Sequence, residues 1–534
     1  MLWVAVHLPL LSLESFAATL PAASADQPIA LMDAHHIVSA NASALQLGVK
    51  PGLKRATALA LAPHLTLAQA DARRDEEALR AVAHTALAFT PIVTIQPAND
   101  TIGAEQAAPD IVLLEVQGSL RYFGGHERQL QGLLQRLQRA LVPLGHRLHM
   151  ANAPTALGAA LLARVHRRFD GSDLALTQRA LDAAPVWLLG PGRTHWEALQ
   201  GMGLRTLSDL RGLPRSGVAR RFGAALLDEL DRAYGAVPDP RISIALPPAF
   251  ESRLELFARA DTADQVLHGA GLLLDRLIAW LAAQHAFVRR FTLVMLHEPR
   301  RSRDKPAPSE TTLELALAEP SRDRAHLLVL LRERLANLPL PAPTLELRLH
   351  AADIARRAPP NAELFPTPRS EREGLVRLIE RLQARLGHER VQCLAAVDDH
   401  RPELATAVRC ADAQSIGRAH AAASAVAADA LTEKTPAADY ESAEPAPGVK
   451  VRPVWLLSEG QPLDERDSWP LLEGQPLQLL SGPERIESGW WDMRLVERDY
   501  FIAQLPDGAL VWIYRTRQLV SNPRPGWFLQ GRFG

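Results

Sequence analysis

The sequence predicts a multidomain chain: an α/β region first, an α+β unit in the middle and a small β-rich module at the end. Three observations carry that expectation. Over the first 165 residues, apolar strand-like runs alternate with Ala/Leu-rich helical ones, the pattern of an α/β domain. Residues 184–235 then break into short helical pieces separated by Gly-x-Gly turns. Finally, residues 450–534 hold Trp455, Trp469, Trp490, Trp491, Trp512 and Trp527, with Asp507-Gly508 between DYFIAQ and ALVWIYR, a hairpin signature.

In chain order, MLWVAVHL reads as a short buried strand. The first 25 residues imitate a signal peptide, but they lack a basic start, and Pro9, Ser12 and Glu14 interrupt the apolar run. A strand followed by a helix is the expected structure. Residues 28–70 read as a strand and two short helices, with Gly-Val-Lys-Pro-Gly between the helices and His35-His36 at a strand-to-loop transition. A helix is expected over 76–90, a strand over 111–117, a turn at Phe123-Gly124-Gly125 and an amphipathic helix near 126–142. Between 250 and 350, RLELFA, FVRRFTLVMLHE and TLELRLHA are strand-like, with an apolar helix at 264–285. A proline-flanked linker at 357–368 precedes a helix near 370–387, and Asp398-Asp399-His400 reads as a helix end and turn rather than a metal cluster. Residues 411–449 are rich in Ala, Ser, Glu and Pro. They have too few large apolar groups to offset chain entropy, so disorder is expected.

Composition narrows the function classes. The 534 residues are 47% hydrophobic and 22% charged, as in soluble globular proteins. The net charge of −1 argues that any DNA contact is local rather than a property of the whole surface. Cys393 and Cys410 are too few for a disulfide framework and point to a reducing, cytoplasmic location. No stretch reads as long and apolar enough to span a membrane without charges, so no membrane partner is expected.

MLWVAVHLPLLSLESF and APDIVLLEVQGSLRYFGG together resemble the two metal-binding palm strands of Y-family (translesion) DNA polymerases. SANASALQLGVKPGLKRATALALAPHL resembles the fingers of that family, and LLGPGRTHWEALQGMGLRTLSDLRGLP the thumb. LLSGPERIESGWWD, RDYFIA and GWFLQGRFG resemble a tail carried by the catalytically inactive members found in bacterial mutagenesis cassettes. The implied organisation is a palm over 1–165 with fingers inserted at about 16–75, then a helix-hairpin-helix thumb over 166–240. A little-finger-like domain over 245–352, a linker with a helix over 353–410, the stretch 411–449 and an aromatic-rich interaction domain over 450–534 complete it.

The resemblance places His7 where the family has its first metal-binding aspartate, and Asp110-Ile111 where it has an Asp-Glu pair. Nucleotidyl transfer uses two divalent cations held by oxygen ligands. His7 is a poor ligand for magnesium, Ile111 is none, and Asp110 alone cannot seat two ions. Asp110 also has a plainer reading, a polar residue at a strand start. The fingers positions for a triphosphate-binding tyrosine and arginine are Ala42 and Leu45, after Asn41. The palm-helix positions for phosphate-facing lysines are Ala156 and Ala160. Neither a metal nor a cofactor is therefore expected.

Gly190-Pro191-Gly192 resembles a helix-hairpin-helix turn that offers backbone N–H groups to a phosphate, and Gly201-Met202-Gly203 a second. Arg215, Arg220 and Arg221 either add phosphate contacts or form a solvated helix face. Arg289-Arg290 and the run Arg300 to Lys305 lie in the unit resembling the little finger. In the linker, Asn361, Leu364 and Phe365 resemble the short peptide that docks bacterial polymerases on the sliding clamp, with Asn361 in place of the usual Gln; the alternative is an anchor packing on its own domain. Gln475 to Leu480 is a second, poorer candidate.

The resemblance implies a non-catalytic adaptor in SOS-type, damage-induced translesion synthesis. Its partners would be the sliding clamp, an error-prone C-family DNA polymerase, a small RecA-like mutagenesis protein and damaged or primed DNA. The enzyme alternative is a low-activity polymerase with rearranged ligands drawn from Asp110, Glu115 and Glu14. Asp110 and Glu115, however, point to opposite faces of one strand. A plain DNA-binding protein is the third reading, and the aromatic tail argues against it.

Overall fold

The structure is a computed structural model that describes residues 1–20, 27–96, 109–123, 129–191, 195–299, 308–356, 368–411, 452–517 and 526–533, without the side chains of 368–373. Its first sheet has five strands in the order Val93–Ile95, Ile111–Glu115, Trp3–His7, His149–Ala153, Arg168–Asp170. The chain's first strand is thus the central one, antiparallel to both neighbours, with His7 opposite both Ile111 and His149. All five residues of that strand are buried, because helices cover both sheet faces. On one face Val4, Val6, Val112 and Leu114 pack with Leu79, Val82, Leu133 and Leu137. The latter group comes from helices Ala72–Leu87 and Gln129–Leu141, whose apolar residues recur at helical spacing. On the other face Trp3, Ala5, Ile111 and Leu113 share a core with helix Ala156–Val165 and with the short helices between Leu174 and Tyr234.

A small three-stranded sheet carries Ile29–Asp33 between His36–Ala40 and Thr66–Gln69, beside helices Ala42–Gln46 and Arg55–Leu61. His36 begins a second strand rather than a loop; Ala34, at φ +46, makes the turn before it. The 76–90 helix in fact runs Ala72–Leu87. It starts earlier because the Asp71 carboxylate accepts the Arg73 and Arg74 N–H groups and caps it.

The four-stranded sheet, ordered Glu310–Ser321, Ala286–His297, Thr344–Arg356, Phe250–Ala260, is covered on one face by helices Ala263–Ala283 and Arg324–Ala336. The strand Glu310–Ser321 and the helix Arg324–Ala336 are additions to the sequence reading. Helix Ala263–Ala283 is long and apolar enough to cross a bilayer by length and composition alone, but, as the sequence reading required of any such stretch, it is not free of charges. It lies mostly buried as a core helix, with its two central charges paired: Asp275 to Arg324, and Arg276 to Glu77 on helix Ala72–Leu87. Arg276 also donates to Ser252 Oγ at 3.0 Å and to the Arg253 carbonyl at 3.1 Å, tying that helix to its own sheet.

Contacts divide the chain into two units, residues 1–362 and 363–534. The second contains helix Pro368–Leu386, the hairpin Gln392–Ala396/Thr406–Cys410 and a five-stranded antiparallel sheet. That sheet runs Trp455–Pro462, Trp527–Arg532, Leu510–Thr516, Val496–Gln504, Gln478–Ser488. Asp507-Gly508 makes the expected hairpin: Gly508 sits at φ +94, and the Ala509 N–H is held by the Asp507 carboxylate. Asp398-Asp399-His400 follows a strand, not a helix, and connects the earlier hairpin. The 357–368 linker up to Thr367, the turn beyond Phe123 and the 411–449 stretch beyond Ala411 lie outside the described residues.

Candidate functional site

The edges of two adjacent strands and the end of one helix meet at His7, Asp110 and Arg164. His7 closes the central strand, Asp110 immediately precedes Ile111–Glu115, and Arg164 lies in the last turn of Ala156–Val165. The Asp110 carbonyl accepts the Leu8 N–H at 2.9 Å, which fixes its backbone against the central strand. Its carboxylate is gripped by both terminal nitrogens of Arg164, Nη2 to Oδ1 at 2.6 Å and Nη1 to Oδ2 at 3.0 Å. His7 Nε2 stands 3.3 Å from Oδ2, while Nδ1 faces the Ala163 carbonyl at 3.2 Å. Burial pushes the Asp110 carboxyl up, but the His7 contact and the Arg164 guanidinium outweigh it and hold the group below the usual carboxylate range. His149 lies edge-on to His7 with ring centroids 5.6 Å apart, and burial followed by the nearby His7 keeps it below the ordinary imidazole range.

This donor set does not fit a pair of divalent cations. Among the described residues Asp110 is the one carboxylate at the centre, and a bidentate guanidinium already satisfies both of its oxygens. Ile111 is fully buried in the core. Glu115 sits at the far end of the same strand, opposite Trp3, roughly 16 Å from Asp110 at the rise of an extended chain. Glu14 accepts the Arg147 N–H at 2.9 Å. The rearranged ligand set Asp110, Glu115 and Glu14 is therefore not brought together. Among the described residues no group of three or more His, Cys, Asp or Glu is placed to share a metal ion.

The positions that the resemblance assigns to a triphosphate are equally plain. Ala42 opens a short helix capped by Asn41, whose side chain accepts from the Ala44 N–H, and Leu45 is exposed on that helix. Ala156 and Ala160 are buried in the helix that also carries Arg164. The three follow one another at four-residue spacing, so they occupy one stripe of the helix. Arg164 was missed from the sequence, and that stripe is the signal that could have found it.

In the segment resembling the thumb, the Gly190 N–H donates to the Glu229 carboxylate at 2.9 Å, so an internal anion occupies the amide. Burial raises the Glu229 carboxyl despite that hydrogen bond. Gly192 lies outside the described residues. Gly201 ends helix Trp196–Gly201, and Gly203, at φ +79, turns the chain out of it. Arg215 makes a bidentate pair with Asp231. Arg220 and Arg221 are exposed with no ion-pair partner among the described residues. In the four-stranded sheet Arg290 pairs with Glu314, whereas 300–305 lie outside the described residues, as do Asn361, Leu364 and Phe365. Gln475 to Leu480 is built into strands, with Leu477 in the core.

The tail's tryptophans divide. Trp512 and Trp527 are buried, but Trp455, Trp469, Trp490 and Trp491 are exposed, together with Met493 at 93%. The loop bearing Trp490 and Trp491 is anchored by Arg401, which the sequence reading also missed. This side chain is only 3% exposed; it bonds Asp399 and Asp492 at 2.7 Å each and donates to the Arg494 carbonyl.

Protein ImuB of Caulobacter vibrioides strain NA1000 / CB15N is 28% identical over 508 residues, covering 91% of this chain and 100% of that one. The chain is ImuB-like. ImuB of a second C. vibrioides strain, ATCC 19089 / CIP 103742 / CB 15, matches with the same identity and coverage. No protein-family model matches. Among solved structures, a Dbh ternary complex with partially disordered substrates is 15% identical at a TM-score of 0.38, covering 66% of this chain and 99% of that one. DinB from Sulfolobus solfataricus is likewise 15% identical, at a TM-score of 0.35 with the same coverage. The ImuB-like chain has the mixed α/β and α+β architecture that the sequence predicts, with an additional β-rich sheet after residue 452.

Proposed function

We propose that this ImuB-like chain is a polymerase frame without nucleotidyl transfer, serving as an adaptor in damage-induced translesion synthesis and mutagenesis. The observation that carries the reading is the bidentate Arg164–Asp110 pair: the last acidic side chain of the old reaction centre is neutralised by the protein's own guanidinium instead of a metal. Ala42, Leu45, Ala156 and Ala160 supply no charge to a triphosphate. The frame, comprising palm, fingers, thumb and little finger over 1–352, would hold primer-template DNA weakly from its thumb. Asn361, Leu364 and Phe365 would dock the sliding clamp, and the region after 370 with the tail would recruit a C-family polymerase and a RecA-like protein in the cytoplasm. Tethering several weak modules raises their local concentration without new contacts.

Clamp docking is tested by pull-down of the full chain on immobilised sliding clamp. Leu364→Ala/Phe365→Ala is expected to weaken retention roughly tenfold or more, since two apolar anchors leave their pocket. Unchanged retention would return 361–365 to the role of a linker anchor.

A further inference from the structure

The four-stranded sheet buries one face under its helices and leaves the other to solvent. Its registers give the composition of the open face. One row across the strands is Glu310, Leu296, Glu346, Glu255; the next but one is Glu314, Thr292, His350, Glu251. Between them run Thr312, Val294, Arg348 and Arg253. Three of the arginines are committed, while Arg289 is exposed with no ion-pair partner among the described residues. Arg253 and Arg348 both bond Glu346, at 2.8 and 2.7 Å, and Arg290 bonds Glu314 at 2.9 Å with Asp353 at 3.9 Å. Glu251, Glu255 and Glu310 are exposed and have no ion-pair partner among the described residues.

A surface that grips a duplex without reading sequence needs cations free to displace counterions from the phosphates. Here Arg253, Arg290 and Arg348 are spent on neighbouring carboxylates, and against the exposed Arg289 stand three further carboxylates with no ion-pair partner among the described residues. We propose that the open face of this sheet turns the nucleic-acid backbone away, although it belongs to the unit that resembles a DNA-contacting little finger. A duplex would instead be held from the thumb side, where Arg220 and Arg221 are exposed with no ion-pair partner among the described residues. The inference refines the DNA contact in the proposed function and stands on separate residues.

The experiment is fluorescence anisotropy of a labelled primer-template duplex with the full chain over a salt series. Each variant is first checked for an unchanged melting transition. Glu251→Lys/Glu255→Lys/Glu310→Lys is expected to bind at least about tenfold more tightly than wild type, with a salt slope steeper by about 3, one counterion for each new lysine. Arg253→Ala/Arg290→Ala/Arg348→Ala is expected to bind within about twofold of wild type, because those side chains do not face phosphate. No gain in the lysine variant, or a loss of about tenfold in the alanine variant, overturns the proposal. Were the wild type to bind no duplex, the DNA contact in the proposed function would fail, while acquisition of binding by the lysine variant would still support this inference.

Discussion

Arg164→Ala is expected to destabilise the first unit by about 2 kcal/mol, because it strands the Asp110 carboxylate in a site that is three-quarters closed to water. The figure stays below that for fully buried pairs because both side chains keep some solvent contact, 22% for Arg164 and 26% for Asp110. Removing both charges, as Asp110→Leu/Arg164→Met, is expected to cost clearly less than the sum of the single changes, since no orphaned charge remains. Urea unfolding reads both effects. Acidity gives an independent check. The folded state holds the Asp110 carboxyl below its ordinary range, so the pair stabilises the protein above that range and loses its contribution as pH falls through about 4 and below. The gap between wild type and Arg164→Ala should therefore narrow in acid. Millimolar magnesium should leave both proteins' transitions where they are; a magnesium-induced rise in the wild type would mean that the carboxylate is open to metal.

Arg401→Ala is expected to shift the unfolding equilibrium of the second unit on the order of tenfold, and to open the Gly489–Leu495 loop to protease. One guanidinium holds Asp399 on the preceding hairpin loop, Asp492 and the Arg494 carbonyl on the tryptophan loop, and stands 5.5 Å from the Trp491 ring. Lysine in its place keeps the charge but cannot reach several acceptors from one planar fork, so Arg401→Lys should rescue little. The loop itself is tightly wound. Gly489 is at φ +87, and a side chain there would collide with the Arg494 carbonyl. Such an anchored loop, with Trp490, Trp491 and Met493 held outward, suits a preorganised protein contact. Limited proteolysis and thermal melting of the full chain measure the effect. An unchanged digestion pattern would show that the loop holds its shape without Arg401.

Much of this was visible in the chain before any coordinates. MLWVAVHL and IVLLEV are unbroken apolar runs, as strands buried on both faces must be, and they are the central pair of the first sheet. Asp507-Gly508 named its own turn. The strand Glu310–Ser321 alternates as TLELALAE, but its small and acidic residues alongside Leu make a weaker apolar signal than its neighbour FVRRFTLVMLHE. At the site, His7, Asp110 and Ile111 could be found from the strands that carry them. Arg164 could not be paired with Asp110 the same way: the two are 54 residues apart in sequence, and only the packing of helix Ala156–Val165 on the sheet joins them. Arg401 and Asp492, 91 residues apart, are a second case. Local propensity fixes strands and turns, whereas ion pairs that span the chain are a property of the assembled tertiary structure. The amide of Gly190 is similar: its glycine suggested a phosphate, and the fold supplies Glu229.

Primer extension by the purified full chain tests the central claim most directly. With a primed template, all four deoxynucleoside triphosphates and either magnesium or manganese, the expected result is no extended primer, because one guanidinium-bound carboxylate cannot seat the catalytic ions. Template-directed extension that disappears in Asp110→Asn would contradict the account.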